Sequence, residues 1–165
     1  MNDTYVEWLV KRKTPFYMYA VDAVLAVITL ICIFLALMTN VIAVILMFLS
    51  GFVTYLAFRN TNVEYEYLFV TGSLTIDKIL GKSKRKKAWE GTMDEIQIIA
   101  PSDSAALNDY KTADQQLLDF SSKMPGAKTY TLIGQSGGKN VKLIFEPNDA
   151  MLQCFRQASP RKVIR

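Results

Sequence analysis

The chain has 165 residues, a formal net charge of +4 and 51% hydrophobic residues, and much of the hydrophobic content lies in one block near the N-terminus. That leaves room for one modest soluble domain and no second one. The absence of histidine excludes histidine-activated nucleophiles and imidazole metal ligands. Two cysteines, Cys32 and Cys154, are too few for a disulfide framework, which suits a reducing compartment.

Residues 1–15 are predicted to form a short amphipathic helix that lies on the inner membrane interface. Thr4 and Glu7 have the spacing of a capping box. Four further side chains follow a helical period: Tyr5, Trp8, Leu9 and Arg12.

Residues 16–59 are predicted to form a transmembrane hairpin of two helices, at about 16–38 and 41–58. At about 1.5 Å rise per residue, both segments can cross a hydrocarbon core of about 30 Å. Thr39 and Asn40 form the polar break between them. A cleaved signal peptide is the competing explanation, but its apolar region would be about 7–15 residues long, and this block is far longer.

Cationic residues flank the hairpin on one side of the membrane. Lys11, Arg12 and Lys13 precede the first span, Arg59 follows the second, and the connecting turn has no cation. The positive-inside rule therefore predicts a multi-pass protein of the plasma membrane with both termini in the cytoplasm.

Asp22 is the one charged residue inside the first span, where an ionised carboxylate costs several kcal/mol unless it is paired or near water. It is a candidate intramembrane polar site that a transporter would use for proton or cation coupling. The favoured alternative places it against the second helix near Tyr55, or at the inner interface in a pair with Arg59, because one acid cannot build a pathway.

Residues 60–165 are predicted to form a cytoplasmic domain rich in β-strands, because the apolar period changes from helical to two after Asn60. Tyr65, Tyr67 and Phe69 alternate with glutamates, and the turn Thr71-Gly72 leads into a second strand. A basic connection follows, then a strand around Trp89 and another around Ile96 and Ile98 that Pro101 ends.

The second half of this domain is predicted to contain a helical turn around Leu107 and Tyr110 and a strand over 117–120. A hairpin follows, with strands at 130–132 and 141–145 around the turn 134–138. The last helix begins at 147–149, and Pro160 ends it. Its apolar stripe is Met151, Leu152, Phe155 and Ala158.

The fold class is therefore α+β: an N-terminal transmembrane helical hairpin, then a pleckstrin-homology (PH)-like bent sheet or barrel of about seven strands, capped by a C-terminal helix. Several segments resemble small bacterial membrane proteins that combine two transmembrane helices with a PH-like domain and have no established function. The segments that carry the resemblance are 64–67, 70–72, 74–76, 82–87, 93–96 and 145–147. The resemblance implies a fold and a membrane location, and it supplies no catalytic residues.

Five cations close together form the most concentrated charge in the chain, and the name basic segment is used for them below: Lys82, Lys84, Arg85, Lys86 and Lys87. Each could contribute about 1 kcal/mol of attraction to an anionic leaflet, so the segment is a candidate contact for anionic lipid headgroups. The alternative, slightly favoured, is a solvated hairpin loop. Nucleic acid is not expected, because aromatic residues do not interleave the run.

The sequence gives little support for a phosphate-binding loop, a carboxylate pair or a nucleophilic cysteine. The stretch Gly134 to Lys139 lacks the spacing of a phosphate-binding loop and joins two strands, so a hairpin turn is expected. The acidic residues have no spacing that forces two carboxylates into one cleft. Cys154 lies beside the apolar stripe of the last helix, with no activating cation nearby. No catalytic, metal-binding or cofactor-binding residue is predicted.

The sequence thus predicts a non-enzymatic membrane protein that presents a cytoplasmic PH-like module to a protein partner or to a second copy of itself, with contact to anionic lipid as an addition. The alternative is an accessory or oligomeric pore component that uses the hairpin and Asp22.

Overall fold

The computed structural model describes residues 5–38, 41–110 and 114–164. The chain divides into a helical unit, residues 14–63 and 80–84, and a sheet unit, residues 1–13, 64–79 and 85–165. The sheet unit therefore takes residues from both sides of the helices. The predicted cytoplasmic domain, residues 60–165, does not include the N-terminal part of this unit.

The helical unit contains α1, Phe16–Ala36, and α2, Val41–Thr61. Each has 21 residues, with a mean hydropathy of 2.5 for α1 and 2.4 for α2 over its most apolar window, so each is long and apolar enough to cross a membrane. The two helices confirm the predicted positions, although α1 ends earlier and α2 extends further than expected. Thr39 and Asn40, the predicted turn, lie outside the described residues.

Small and hydroxyl-bearing residues line the contact between the two helices. The Thr29 and Thr54 hydroxyls are 2.9 Å apart, and both reach the Leu25 carbonyl, at 2.9 Å from Thr29 and 3.3 Å from Thr54. Gly51 lies opposite the Thr29 methyl group, which an added Cβ would meet at 4.0 Å. Small and hydroxyl-bearing residues are also typical of contacts between membrane helices.

The predicted interfacial helix at residues 1–15 is wrong, because residues 5–11 form a strand, β1, Tyr5–Lys11. It pairs antiparallel with β2, Val63–Val70. Every second residue of β1 faces an aromatic of β2, as with Trp8 opposite Tyr67 and Val10 opposite Tyr65. A long-range pairing thus overrides a weak helical period over a short segment. Residues 1–4, including Thr4 of the capping box, lie outside the described residues.

The first sheet has the order β1-β2-β3-β4, where β3 is Ser73–Leu80 and β4 is Lys84–Thr92. Thr71 and Gly72, with φ of 44° and 86°, connect β2 to β3 as a two-residue hairpin turn with both residues at positive φ, which confirms the first predicted hairpin. The basic segment is not the predicted loop: four of its five residues lie in β4, at one edge of the sheet. Only Lys82 lies in the turn.

The second sheet has the order β5-β7-β8-β6. Its strands are β5 Ile96–Pro101, β6 Gln115–Asp119, β7 Tyr130–Ser136 and β8 Lys139–Phe145. Strand β6 runs parallel to β8, and the other pairs are antiparallel. A 3-10 turn at Ala105–Tyr110 and all four strands confirm the predicted elements, except that the β7–β8 turn is only Gly137-Gly138.

Gly134 therefore lies inside β7 rather than in the turn. A Cβ there would come within 2.6 Å of the Glu95 carbonyl oxygen, next to the register shift between Ile96 and Ile98. The glycine allows β5 and β7 to approach at this bulge.

The C-terminal helix α3, Asp149–Ala158, packs into the apolar core. The Asn148 side chain caps it by accepting from the Met151 backbone N–H over 2.8 Å. Met151, Leu152 and Phe155 are buried, which confirms that part of the stripe, whereas Ala158 is exposed. Phe155 meets Phe69 of the first sheet edge to face at 4.8 Å.

Phe155 also lies 6.1 Å from Phe145 of the second sheet, so one aromatic of α3 joins both sheets. Beyond the helix, the chain runs along the free edge of β5, where the Ile164 N–H donates to the Ile99 carbonyl over 2.8 Å. Within the described ranges the strands form two separate sheets and no closed barrel. The α+β class and the capped, bent sheet architecture are confirmed.

Candidate functional site

The basic segment is divided between the two units, with Lys82 and Lys84 in the helical unit and the other three cations in the sheet unit. Arg85 donates to the Glu66 carboxylate over 2.7 Å and lies 3.9 Å from Asp77. Lys87 pairs with Glu90. Lys82, Lys84 and Lys86 are exposed and form no ion pair with any residue that the structure describes. Two of the five cations are therefore used within the sheet.

Glu66 is the buried member of this charged group, with 4% of its surface exposed. Burial raises the pKa of its carboxyl, and so does hydrogen bonding with the Glu7 carboxyl, whereas the charge of Arg85 opposes the rise. The Tyr5 hydroxyl in turn donates to Glu7 over 2.6 Å, and the pKa of Glu7 is lowered by that bond. The chain of contacts ties β1, β2 and β4 together, so its role in the fold is structural.

Asp22 is buried, with 3% of its surface exposed, and its Oδ2 atom has no hydrogen-bond partner. The predicted pair with Arg59 does not form: the Arg59 guanidinium lies over the Tyr55 ring, 5.8 Å from its centroid. Asp22 thus remains a buried carboxylate without an ion pair among the residues described.

The sheet unit also contains a groove that the sequence did not predict. It is lined by β1 from Trp8 to Lys11, by Ser122 and residues 124–128, and by Glu146 and Pro147. It is an open surface depression of about 480 Å³ and is called the β1 groove below. Trp8 is 40% exposed and Met124 51% exposed, so large apolar side chains face solvent here.

Hydrogen bonds connect the segments around the β1 groove. The Lys13 N–H donates to the Ser122 carbonyl over 2.7 Å, and the Ser122 N–H donates to the Glu146 carboxylate over 2.6 Å. The Ser122 hydroxyl accepts from the Met124 N–H over 3.1 Å. Sequence reasoning missed the groove because β1 was interpreted as a helix. The exposed Met-Pro-Gly of the loop was the available signal.

A comparison with protein families identifies the family of this chain. A model described as a bacterial PH-like domain, DUF6106, matches residues 2–165. The chain belongs to this family. The match covers nearly the whole chain, including β1 and both apolar helices, and confirms the resemblance seen in the sequence. No curated protein and no solved structure matches the chain.

In this bacterial PH-like protein, the glycine-rich stretch is part of a β-hairpin. Residues 134–139 form the end of β7, the two-residue turn and the start of β8. Cys32 and Cys154 are both free thiols. Across 5–38, 41–110 and 114–164, no three His, Cys, Asp or Glu residues come together in an arrangement that could hold a metal ion.

Proposed function

We propose that this protein is a non-enzymatic interaction module held in the plasma membrane by α1 and α2, with both termini and the PH-like domain in the cytoplasm. It presents that domain to a protein partner or to a second copy of itself. The supporting observation is the exposure of the two apolar helices: only 6% of the most apolar window of each is buried within the chain.

That exposure supports the assignment as membrane helices rather than core helices of a soluble protein. A core helix of this hydropathy would bury most of its side chains, since the burial of one Leu or Phe contributes about 1.5–3 kcal/mol. Here most of the apolar surface of both helices is not buried by the described part of the chain. A lipid bilayer would solvate such a surface.

The charges beside the helices support the orientation. Lys11, Arg12 and Lys13 come directly before α1, and Arg59 is in the last turn of α2. A cytoplasmic location of both ends follows from the positive-inside rule. The exposed Lys82, Lys84 and Lys86 would add attraction to an anionic leaflet, by about 1 kcal/mol each where they approach it.

The side chains that could do chemistry support a binding role. The carboxylates of Glu7 and Glu66 are engaged with Tyr5 and Arg85 between strands. The buried Tyr67 hydroxyl donates to the Phe120 carbonyl over 2.7 Å, and burial raises its pKa. These groups stabilise the fold.

The test is purification of the full chain from membranes in mild detergent, followed by native mass spectrometry. A stoichiometric protein partner or a defined homo-oligomer is expected. Retention of the protein in the membrane pellet after alkaline carbonate washing is the companion measurement. A chain that washes off the membrane, or a monomer that turns over a metabolite, would contradict the proposal.

The buried Oδ2 of Asp22 favours a second candidate function, an oligomeric pore component. A carboxylate without a partner in a membrane helix costs several kcal/mol, a cost that a role in ion passage would explain. In proteoliposomes, Asp22→Asn should then abolish cation flux while the oligomer persists. Absence of flux in the wild-type protein would remove this candidate.

A further inference from the structure

We propose that strand β6 is a self-association surface, whose outer edge pairs antiparallel with the same edge of a second copy of the chain. The second sheets of two chains then form one continuous sheet. This inference rests on the proposed function and deepens it, because it names the second copy as the partner. Strand β6, Gln115–Asp119, ends the sheet order β5-β7-β8-β6. Among the described residues, β8 is the one strand that pairs with it.

The pairing with β8 shows which backbone groups of β6 point away from the sheet. The Phe120 N–H donates to the Ile144 carbonyl over 2.9 Å, directly after the last residue of β6. Successive residues of a strand turn their backbone groups to opposite neighbours, so the odd-numbered residues of β6 turn theirs to the outer edge. These residues are Gln115, Leu117 and Asp119.

The other described sheet edges are covered or charged. The chain beyond α3 covers the edge of β5 through Val163 and Ile164. Residues 84–87 of β4 are all cations, which would repel an identical strand. Strand β1 carries Glu7 and Lys11 and faces residues 124–128 across the β1 groove.

Strand β6 lacks these protections. It contains no cation and no proline, which are the residues that most often block an edge strand. Its single charge, on Asp119, lies 3.3 Å from the Lys123 ammonium group. The Leu117 side chain is 62% exposed. The edge therefore offers unpaired backbone groups beside an exposed apolar side chain.

The sequence of β6 suits pairing with itself. Around a twofold axis at Leu117, this residue lies opposite Leu117 of the second copy, and Gln115 lies opposite Asp119 of the second copy. All three have outward backbone groups, so each opposed pair exchanges two hydrogen bonds. The two leucines cover each other, and an amide faces each carboxylate, so no like charges are opposed.

An extended peptide of another protein is the other occupant that a sheet edge accepts. The observations favour a second copy because a twofold pair satisfies both edges at once, whereas a bound peptide leaves its own outer edge open. The self-complementary register around Leu117 supports the same choice. Pairing with a different protein is therefore an outcome that contradicts the inference.

The first experiment uses the full chain in membranes, in a background without Cys32 and Cys154. Leu117→Cys should form an intermolecular disulfide under mild oxidation, because opposed Cα atoms about 5.5 Å apart lie within the about 4.4–6.8 Å that a disulfide spans. Lys142→Cys is the matched control, since Lys142 is the β8 partner of Leu117. Its two copies would lie three strand spacings apart, about 14 Å, so its disulfide should form at least about 10-fold more slowly.

The second experiment removes the outward donor. Leu117→Pro deletes an N–H that β8 does not use, so native mass spectrometry of the full chain should show loss of the dimer while the melting temperature is kept. Leu118→Pro deletes an N–H that bonds to β8 and should lower the melting temperature. If Leu117→Pro melts early, Leu117→Lys provides the same test, because it places two cations opposite each other at an exposed position.

A dimer that persists in Leu117→Lys would overturn the inference, as would equal disulfide rates at positions 117 and 142. A stoichiometric partner of different sequence in place of the dimer would also overturn it, and would leave the proposed function intact. A chain that leaves the membrane in the carbonate wash would refute both the proposed function and this inference.

Discussion

The Arg85 guanidinium binds the buried carboxylate of Glu66 over 2.7 Å, although the Arg85 side chain is 58% exposed and that of Glu66 only 5%. Arg85 of the basic segment therefore helps to hold the strands of the first sheet together. Tyr5 and Glu7 of β1, Asp77 of β3 and Arg85 of β4 all act on Glu66 or its neighbour Glu7, so four strands meet at one titratable group.

This arrangement predicts a pH dependence of stability that Glu66 controls. Because its pKa is raised above the ordinary value of 4.5, the folded state binds more protons than the unfolded state near that pH. The free energy of unfolding contributed by Glu66 is therefore fully present below its ordinary pKa and falls as pH rises through its raised pKa. Thermal melts of Glu66→Gln in detergent should not show this decrease in stability with rising pH.

Arg85→Gln is the matched variant. It removes the charge that opposes the raised pKa of Glu66, so the decrease in the free energy of unfolding with rising pH should become larger. The free energy of unfolding at neutral pH should also drop by about 1–3 kcal/mol, because a hydrogen bond to a charged group is lost. In Glu66→Gln/Arg85→Gln the loss should be smaller than in Arg85→Gln alone. Additive losses in this double-mutant cycle would show that the pair is not coupled.

Local periodicity predicted most of the fold. The alternation from Tyr65 to Ile76, the turn Thr71-Gly72 and the stripe of α3 depend on neighbours in the chain, so the sequence contains their signal directly. Strand β1 could not be predicted in this way. Its partner lies beyond two helices, and Tyr5, Trp8 and Leu9 also fit a helical spacing.

The candidate sites were harder to predict for the same reason. A run of five cations indicates charge, but only the positions of Glu66, Asp77 and Glu90 show which cations are paired. The β1 groove depends on a loop more than a hundred residues from Trp8, and no local pattern reports such a juxtaposition.

The pairing of β1 predicts how a soluble domain can be made. Lys11 lies directly opposite Glu64, so their Cα atoms are about 4.5–5.5 Å apart, and a two-residue Asn-Gly turn can join them. Replacing residues 12–63 by Asn-Gly should give a cooperatively melting protein without detergent. The matched comparison is residues 64–165 alone, which lack β1 and should aggregate or melt earlier. Equal melting of the two proteins would show that β1 adds nothing to the sheet.

Membrane topology predicts a labelling pattern in intact cells. In a background without Cys32 and Cys154, a cysteine at position 40 between the helices should react with an impermeant thiol reagent from outside. A cysteine at Ser102, which follows β5, should react only after the membrane is opened. The opposite pattern would reverse the orientation inferred from Lys11–Lys13 and Arg59.

The last prediction concerns α3, whose buried face closes the core between the two sheets. Leu152 is 5% exposed, and a carboxylate placed there would be buried without a partner, which costs more than the about 2–5 kcal/mol of a leucine truncation. A domain with about 5–15 kcal/mol of stability should therefore unfold or melt far earlier. Gln153 is the next residue and is exposed, so Gln153→Asp adds the same charge on the outer face of the helix. Melts of the Asn-Gly-linked domain should show a large loss for Leu152→Asp and a change within about 0.5 kcal/mol for Gln153→Asp. Equal effects would mean that α3 does not pack through Leu152.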